Sequence, residues 1–337
     1  MKLYKKIARK VVFPAMMRLG VDKIIRPKGA PKLLNIMYHG VVEKDSNYFL
    51  PAHLQKDQFE QHLKYYKKNF DIITVKEAFE IVKNKIPLLR NTLAISFDDG
   101  YKNNIDTALP LLEKHEVPAT IFVSSLCFND ENNIIWSFYV AAINYFYKDI
   151  EIKIGNHSFI NSYDSKNQTS LIDFIKFSEC EERESVLKKL ESDYHLKDKL
   201  NSIPSEIWKL MSTSDLIEVE KSSMVTIESH GHLHFNLGFI TFESAVNDLK
   251  KSKDLLESNL KKEINLLAYP DGSYSDKIKD AAEELGFKSQ YAVTYKEKSD
   301  ANDSRIMNRH GISSGTTFES NMIFLNKAFK TKGISPT

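Results

Sequence analysis

Short apolar runs separated by amphipathic helical patterns constrain this 337-residue chain more than any other feature. The strand-like runs lie at 33–38, 71–74, 93–97, 119–124, 224–228, 265–269 and 290–294. Helical patterns fall at 59–66, 75–83, 106–115, 241–260 and 275–285. In the fourth of these, Phe242, Val246, Leu249, Leu256 and Leu260 recur at 3–4 spacing and mark one buried face. Strands alternating with helices argue for parallel βαβ units. The runs are continuously apolar rather than alternating, as expected where helices cover a sheet. The pattern predicts an α/β fold, a distorted (β/α)7-8 barrel, ahead of a doubly wound open sheet.

The regularity breaks between Cys127 and Lys221. A hairpin signal appears there, with Gly155-Asn156 between the runs 151–154 and 157–160. Charge-rich helical segments follow at 171–177, 181–190, 204–211 and 214–220. The stretch reads as a long, mainly helical insertion, at about 127–221, at the mouth of the barrel or as a lid on it. The expected organisation is a basic arm at 1–30, a domain at 31–328 carrying that insertion, and a frayed tail at 329–337.

Net charge is +2, so composition gives no reason to expect a nucleic-acid partner. Cys127 and Cys180 are the only cysteines and form no paired motif, which excludes a cysteine metal cluster. No apolar run reaches the ~18 residues a membrane-spanning helix needs. Residues 1–27 hold eight Lys/Arg against one acid, a net +7 that leaves the remainder at about −5. With Leu3, Ile7 and Val11 on one helical face, this arm suits peripheral contact with an anionic membrane. The terminus lacks the apolar core of a secretory signal, so the expected location is cytoplasmic, peripheral at the membrane. Oligomeric state is not legible.

Two stretches carry chemistry. Ser96-Phe97-Asp98-Asp99-Gly100 places adjacent carboxylates where an apolar strand runs into a glycine turn. Ser229-His230-Gly231-His232-Leu233-His234 places two imidazoles four residues apart, directly after another strand. One carboxylate and two histidines at strand ends form the ligand set of an open catalytic metal site, with a position left for water. The spare carboxylate is a ready general base. His232 would point away, as a bystander or outer support. The chain reads as a metal-dependent hydrolase.

In order and spacing, Ser96 to Tyr101, His230 to His234 and Ala268-Tyr269-Pro270-Asp271-Gly272 resemble the polysaccharide deacetylases, carbohydrate esterase family 4, the NodB-homology domain. The opening stretch Asn35 to Val41 is similar to the intercellular-adhesin and lipopolysaccharide-associated branch. The resemblance implies that Asp99, His230 and His234 hold one divalent ion and that Asp98 is the general base. Zinc is the default ion, and cobalt, nickel or iron fit the same donors. It also implies an oxyanion donor in the backbone N–H of Asp271, beside Tyr269 and Pro270.

Two departures stand out. The third motif of the family is commonly Arg-x-Pro-Tyr, so the arginine that orients the base is missing here, and Arg305 or Arg309 could replace it. The late Leu-x-His motif is also missing, leaving His310 as the nearest candidate to protonate the leaving amine. His39 is expected in the same mouth, and Trp136 in the insertion could stack on a sugar. The expected activity is N-deacetylation of N-acetylhexosamine units in a surface polysaccharide or lipid-linked glycan, releasing acetate. The alternatives are a small-amide amidase and an inactive glycan-binding module.

Overall fold

A computed structural model describes residues 11–26, 28–46, 48–129 and 133–336. Seven parallel strands close into a ring: β1 (Leu33–Tyr38), β2 (Thr92–Phe97), β3 (Ala119–Val123), β4 (Val225–Ser229), β5 (Leu266–Ala268), β6 (Ser289–Ala292) and β7 (Ile306–Gly311). Closure runs through β1, which pairs with β2 from Leu33↔Thr92 to Tyr38↔Phe97 and with β7 at Asn35↔Arg309. The expected barrel is therefore a (β/α)7 barrel.

Two strand assignments change. The run at 71–74 forms a strand, Asp71–Ile73, but it lies beside the ring, paired with the first half of β2 below the point where β3 joins. The seventh place belongs to β7, which carries no apolar run. Its Asn308-Arg309-His310 is polar on both faces, because one face reaches into the functional site.

Around the ring lie α1 (Lys56–Asn69), α2 (Val75–Lys83) and α3 (Leu109–His115); the insertion contributes α4 (Trp136–Phe146) and α5 (Cys180–Tyr194); α6 (Phe242–Leu260), α7 (Asp276–Glu284) and α8 (Phe318–Thr331) complete the wall. Thr74 caps α2 through a reciprocal box with Glu77, and Thr241 and Thr317 cap α6 and α8. Inside the ring, Leu33, Ala94, Phe122, Ala268, Tyr291 and Met307 pack on Val75, Ala78 and Phe79 of α2. Phe122 and Tyr291 come from strands three places apart, yet their rings meet at 5.5 Å, so both point inward. The lower barrel is thus filled with side chains, and polar groups are left to the opposite end.

The insertion follows the expected outline, with the hairpin Ile152–Ile154 and His157–Phe159 and mainly helices around it. The tail differs from expectation. α8 continues to Thr331, and Ile334 exchanges both backbone hydrogen bonds with Leu33, at 2.8 and 2.9 Å. Residues 329–334 are therefore ordered against the barrel floor rather than frayed. In the arm, Phe13 meets Phe324 of α8 edge-on at 5.7 Å, while Val11, Leu19 and Ile24 are exposed. Leu3 and Ile7 lie outside the described residues.

Candidate active site

At the end of β2 the ladder continues one residue further, with Asp98 N–H donating to the Tyr38 carbonyl. The backbone then turns left-handed twice, at Asp99 (φ 76°) and Gly100 (φ 85°). Gly100 is required, since a Cβ there would lie 3.0–3.3 Å from Val123 as well as at a disfavoured φ. A continuing strand would send the two carboxylates to opposite faces; the turn brings both to one mouth. A non-glycine residue at φ > 0 costs of order 1–3 kcal/mol, so the surrounding structure must hold Asp99 in this conformation.

The histidine stretch is a braced loop. Gly231 turns at φ 75°, and His232 and Leu233 N–H donate to the two carboxylate oxygens of Asp248 at 2.7 and 3.0 Å. Ser252, one helical turn along α6, donates to the Gly231 carbonyl. Leu126 N–H and Ser124 Oγ both reach the His232 carbonyl. The His232 ring faces away onto Ser125 Oγ, and burial pushes its pKa down to about 4. The sequence singled out neither Asp248 nor Ser252.

These two loops converge. Asp99 Oδ1 lies 3.0 Å from His234 Nε2 and 3.3 Å from His230 Nε2. One ligand atom from each of the three residues falls within 4.8 Å of the others. His230 Nδ1 sits 2.7 Å from the Ala268 carbonyl, which can only accept, so Nδ1 carries the proton. Nε2 then presents a lone pair towards Asp99 Oδ1, itself a buried acceptor with no hydrogen-bond donor. Facing lone pairs in a buried pocket are the arrangement a divalent cation satisfies, and fixing the tautomer through the other ring nitrogen is how metal-ligating histidines are held. The residues fit a metal ion.

The neighbouring carboxylate is set apart by a different partner. Arg309, pointing inward from β7, grips Asp98 at both oxygens, 2.5 and 2.8 Å, and reaches Ser96 Oγ at 3.3 Å. Its guanidinium stands over the inward Phe122 ring at 5.4 Å. Burial pushes the Asp98 carboxyl up, but the Arg309 charge, helped by His230, outweighs it and holds the group below the usual carboxylate range. Burial likewise opposes ionisation of Asp99; when protons rather than a cation occupy the facing Nε2 positions, His234 and His230 hold that carboxyl well below the range. The two acids are held differently, Asp98 by an arginine and Asp99 facing two imidazole nitrogens.

A sequence profile described as polysaccharide deacetylase matches residues 85–289. This chain belongs to the polysaccharide deacetylase family. It is therefore a hydrolase of a family that acts on N-acetylated glycans. It is 23% identical over 272 residues to the putative polysaccharide deacetylase YxkH of Bacillus subtilis (strain 168), covering 80% of this chain and 67% of that protein. The fold is similar to the Streptococcus pyogenes deacetylase PplD solved with acetate, with a TM-score of 0.55 and 16% identity over 88% of this chain and 98% of that one. It is equally similar to IcaB from Ammonifex degensii, with a TM-score of 0.55, 15% identity and coverage of 89% and 99%.

Within this deacetylase the remaining expected site residues separate clearly. Arg309 stands where an arginine is needed, whereas Arg305 is spent on surface ion pairs with Asp303, Asp280 and Glu283. His39 directly follows β1 and is half-buried at the end of the barrel where Asp98 and Asp99 lie. Pro270 packs against Gly231. Asp271, at φ 56°, pairs its side chain outward with Lys176 of the insertion at 2.9 Å.

Three expectations are corrected. His310 follows the inward-pointing Arg309 on a strand, so the pleat sends its side chain out of the barrel, where burial and Lys332 push its pKa down to about 4. It does not meet the carboxylates. Tyr269 is fully buried in the wall, donating to Gln290 at 2.6 Å and stacked on Tyr274, so its ring offers nothing to a substrate. Trp136 is buried as well, and its indole N–H donates to the His234 carbonyl at 3.0 Å. It braces the histidine loop rather than offering a face to a sugar.

Proposed function

We propose that this deacetylase is metal-dependent and hydrolyses the acetamide of N-acetylhexosamine units, in a surface polysaccharide or lipid-linked glycan, releasing acetate. The observation that carries the proposal is the pairing of two differently held carboxylates: Asp99 facing two imidazole nitrogens, and Asp98 beside it, kept ionised by Arg309. Asp99, His230 and His234 hold the ion, zinc by preference for this donor set. A divalent ion held there lowers the pKa of a bound water towards about 7 and polarises the acetamide carbonyl.

Asp98 accepts the proton that the attacking water loses as its oxygen bonds to the carbonyl carbon. Arg309 supplies the orientation and the charge that keep an Asp98 oxygen available for that proton. The backbone N–H of Asp271 meets the developing oxyanion, while its side chain is drawn aside by Lys176. The C–N bond then breaks, the amine nitrogen takes a proton, and acetate and a hexosamine leave. With His310 facing outward, that second proton is assigned to His39, which directly follows β1. On the same proposal the arm lies against an anionic membrane surface, supported by its +7 charge and the exposed Val11, Leu19 and Ile24.

The test is acetate release from a panel of N-acetylated saccharides, with metal content measured on the same samples. Asp98→Asn loses nearly all activity with the metal retained, and His234→Ala loses both. An Asp98→Asn protein with an intact rate removes Asp98 as the base.

A further inference from the structure

The insertion touches the active-site loops at three adjacent points. Lys176 pairs with Asp271, Phe177 meets Phe239 at a ring separation of 4.7 Å, and Glu179 accepts the Thr241 N–H at 3.2 Å. Asp271 belongs to the loop that follows β5, whose Ala268 carbonyl holds His230. Phe239 lies five residues beyond His234 on the same loop. The strap 176–179 therefore contacts both the loop that follows β5 and the loop that carries His234.

What this border presents to solvent is unusual. Phe177 is 47% exposed and Phe239 is 56% exposed, two large aromatic rings packed against each other and left uncovered where the insertion meets the loop that carries His234. Lys176 Nζ stands 5.8 Å from the Phe177 ring centre, so the Lys176–Asp271 pair flanks the aromatic surface directly. That pair is partly open, at 28% and 35% side-chain exposure, and offers donors on one atom and acceptors on the next. An acyl chain would leave the ion pair without partners. A pyranose ring does not: its C–H face covers an aromatic surface while its rim hydroxyls bridge a cation and a carboxylate.

We infer that Phe177 and Phe239, with Lys176 and Asp271, form a saccharide-binding ledge that holds the sugar unit next to the one being deacetylated. This inference rests on the N-acetylhexosamine proposal above and adds a chain-length requirement to it. Binding energy from the neighbouring unit raises the preference for oligosaccharide over monosaccharide, and the insertion supplies that preference. Phe177, Phe239 and Lys176 are specificity determinants that touch no reacting atom, and Asp271 joins the ledge only through its side-chain carboxylate.

The test compares acetate release from N-acetylhexosamine monosaccharides and their tetramers, using N-acetylglucosamine and N-acetylgalactosamine series. Wild-type protein favours the tetramer. The Phe177→Ala/Phe239→Ala double variant loses about tenfold or more in kcat/KM on the tetramer, through KM, as expected when exposed aromatic anchors are removed. Its monosaccharide kcat/KM, metal content and melting temperature stay at wild-type values. Lys176→Met weakens the tetramer in the same direction. Equal kcat/KM for tetramer and monosaccharide in wild type, or a double variant with unchanged tetramer KM, overturns the ledge and leaves the deacetylase proposal standing. Absence of acetate from every saccharide overturns that proposal instead. The ledge is then judged by tetramer binding to Asp98→Asn protein in titration calorimetry, where equal affinity with and without the two phenylalanines overturns it.

Discussion

Replacing Arg309 with methionine isolates the pair that keeps the proposed base charged. Methionine retains most of the aliphatic stem and deletes the guanidinium, leaving Asp98, 2% exposed, as a buried carboxylate with its bidentate partner gone. Removing one partner of a buried ion pair costs about 3–5 kcal/mol, a large fraction of the 5–15 kcal/mol that typically holds a domain together. The Asp98→Asn/Arg309→Met double variant has no charge to strand and regains at least half of that loss. Urea unfolding of wild type, both single variants and the double variant completes the cycle. The pair contributes stability above about pH 4, the unfolded carboxylate value, and loses it as pH falls through the lower folded value. The gap between wild type and Arg309→Met therefore narrows in acid. At neutral pH the variant also loses deacetylase activity, because burial alone pushes the Asp98 carboxyl up. A single-variant loss below about 1 kcal/mol, or strictly additive losses in the cycle, would refute the reasoning.

Other expectations follow from neighbouring residues. His310→Ala retains near-wild-type turnover, since that side chain leaves the barrel; a hundredfold fall in kcat would return it to the mechanism. Asp248→Ala strips two backbone N–H groups of their acceptor, costing about 1–3 kcal/mol in thermal or urea unfolding and weakening metal affinity in competition titration. Unchanged affinity would show that the histidine loop holds its shape without α6. Trp136→Phe, which keeps the ring and removes the indole donor to the His234 carbonyl, lowers metal affinity without altering the fold by circular dichroism. Glu228, accepting the Asn265 and Leu266 N–H groups, is pushed by burial from near 4.5 up to about 7. Its raised folded value means its contribution is full below about pH 4.5 and lost as pH rises through about 7, so Glu228→Gln gains stability relative to wild type in melting curves between pH 5 and 8.

Much of the site was legible because its geometry is local. Asp98-Asp99-Gly100 carries both the carboxylates and the turn that gathers them, and His230 to His234 carries both imidazoles on one short loop. The strand and helix periods likewise announced most of the barrel. What escaped depends on distant packing. β7 was hidden because a strand that feeds a polar site inward and polar contacts outward has no apolar run. The same pleat decides between Arg309 and its neighbour His310, a choice residue type alone leaves open. On α6 the expected face began at Phe242, which is 51% exposed, while Asp248 and Ser252 are buried against the histidine loop. A buried aspartate whose partners are backbone amides from another element leaves no mark in helical periodicity. Trp136 illustrates the reverse: an aromatic in an insertion suggests sugar stacking until its indole N–H finds a carbonyl behind a metal ligand.

The most direct measurement is acetate release from an N-acetylhexosamine oligosaccharide by metal-stripped protein titrated with zinc. Activity should return in proportion to added ion and saturate near one equivalent per chain, with Asp99→Ala silent throughout. Full turnover in the stripped protein, or no acetate at any zinc level, would contradict the account.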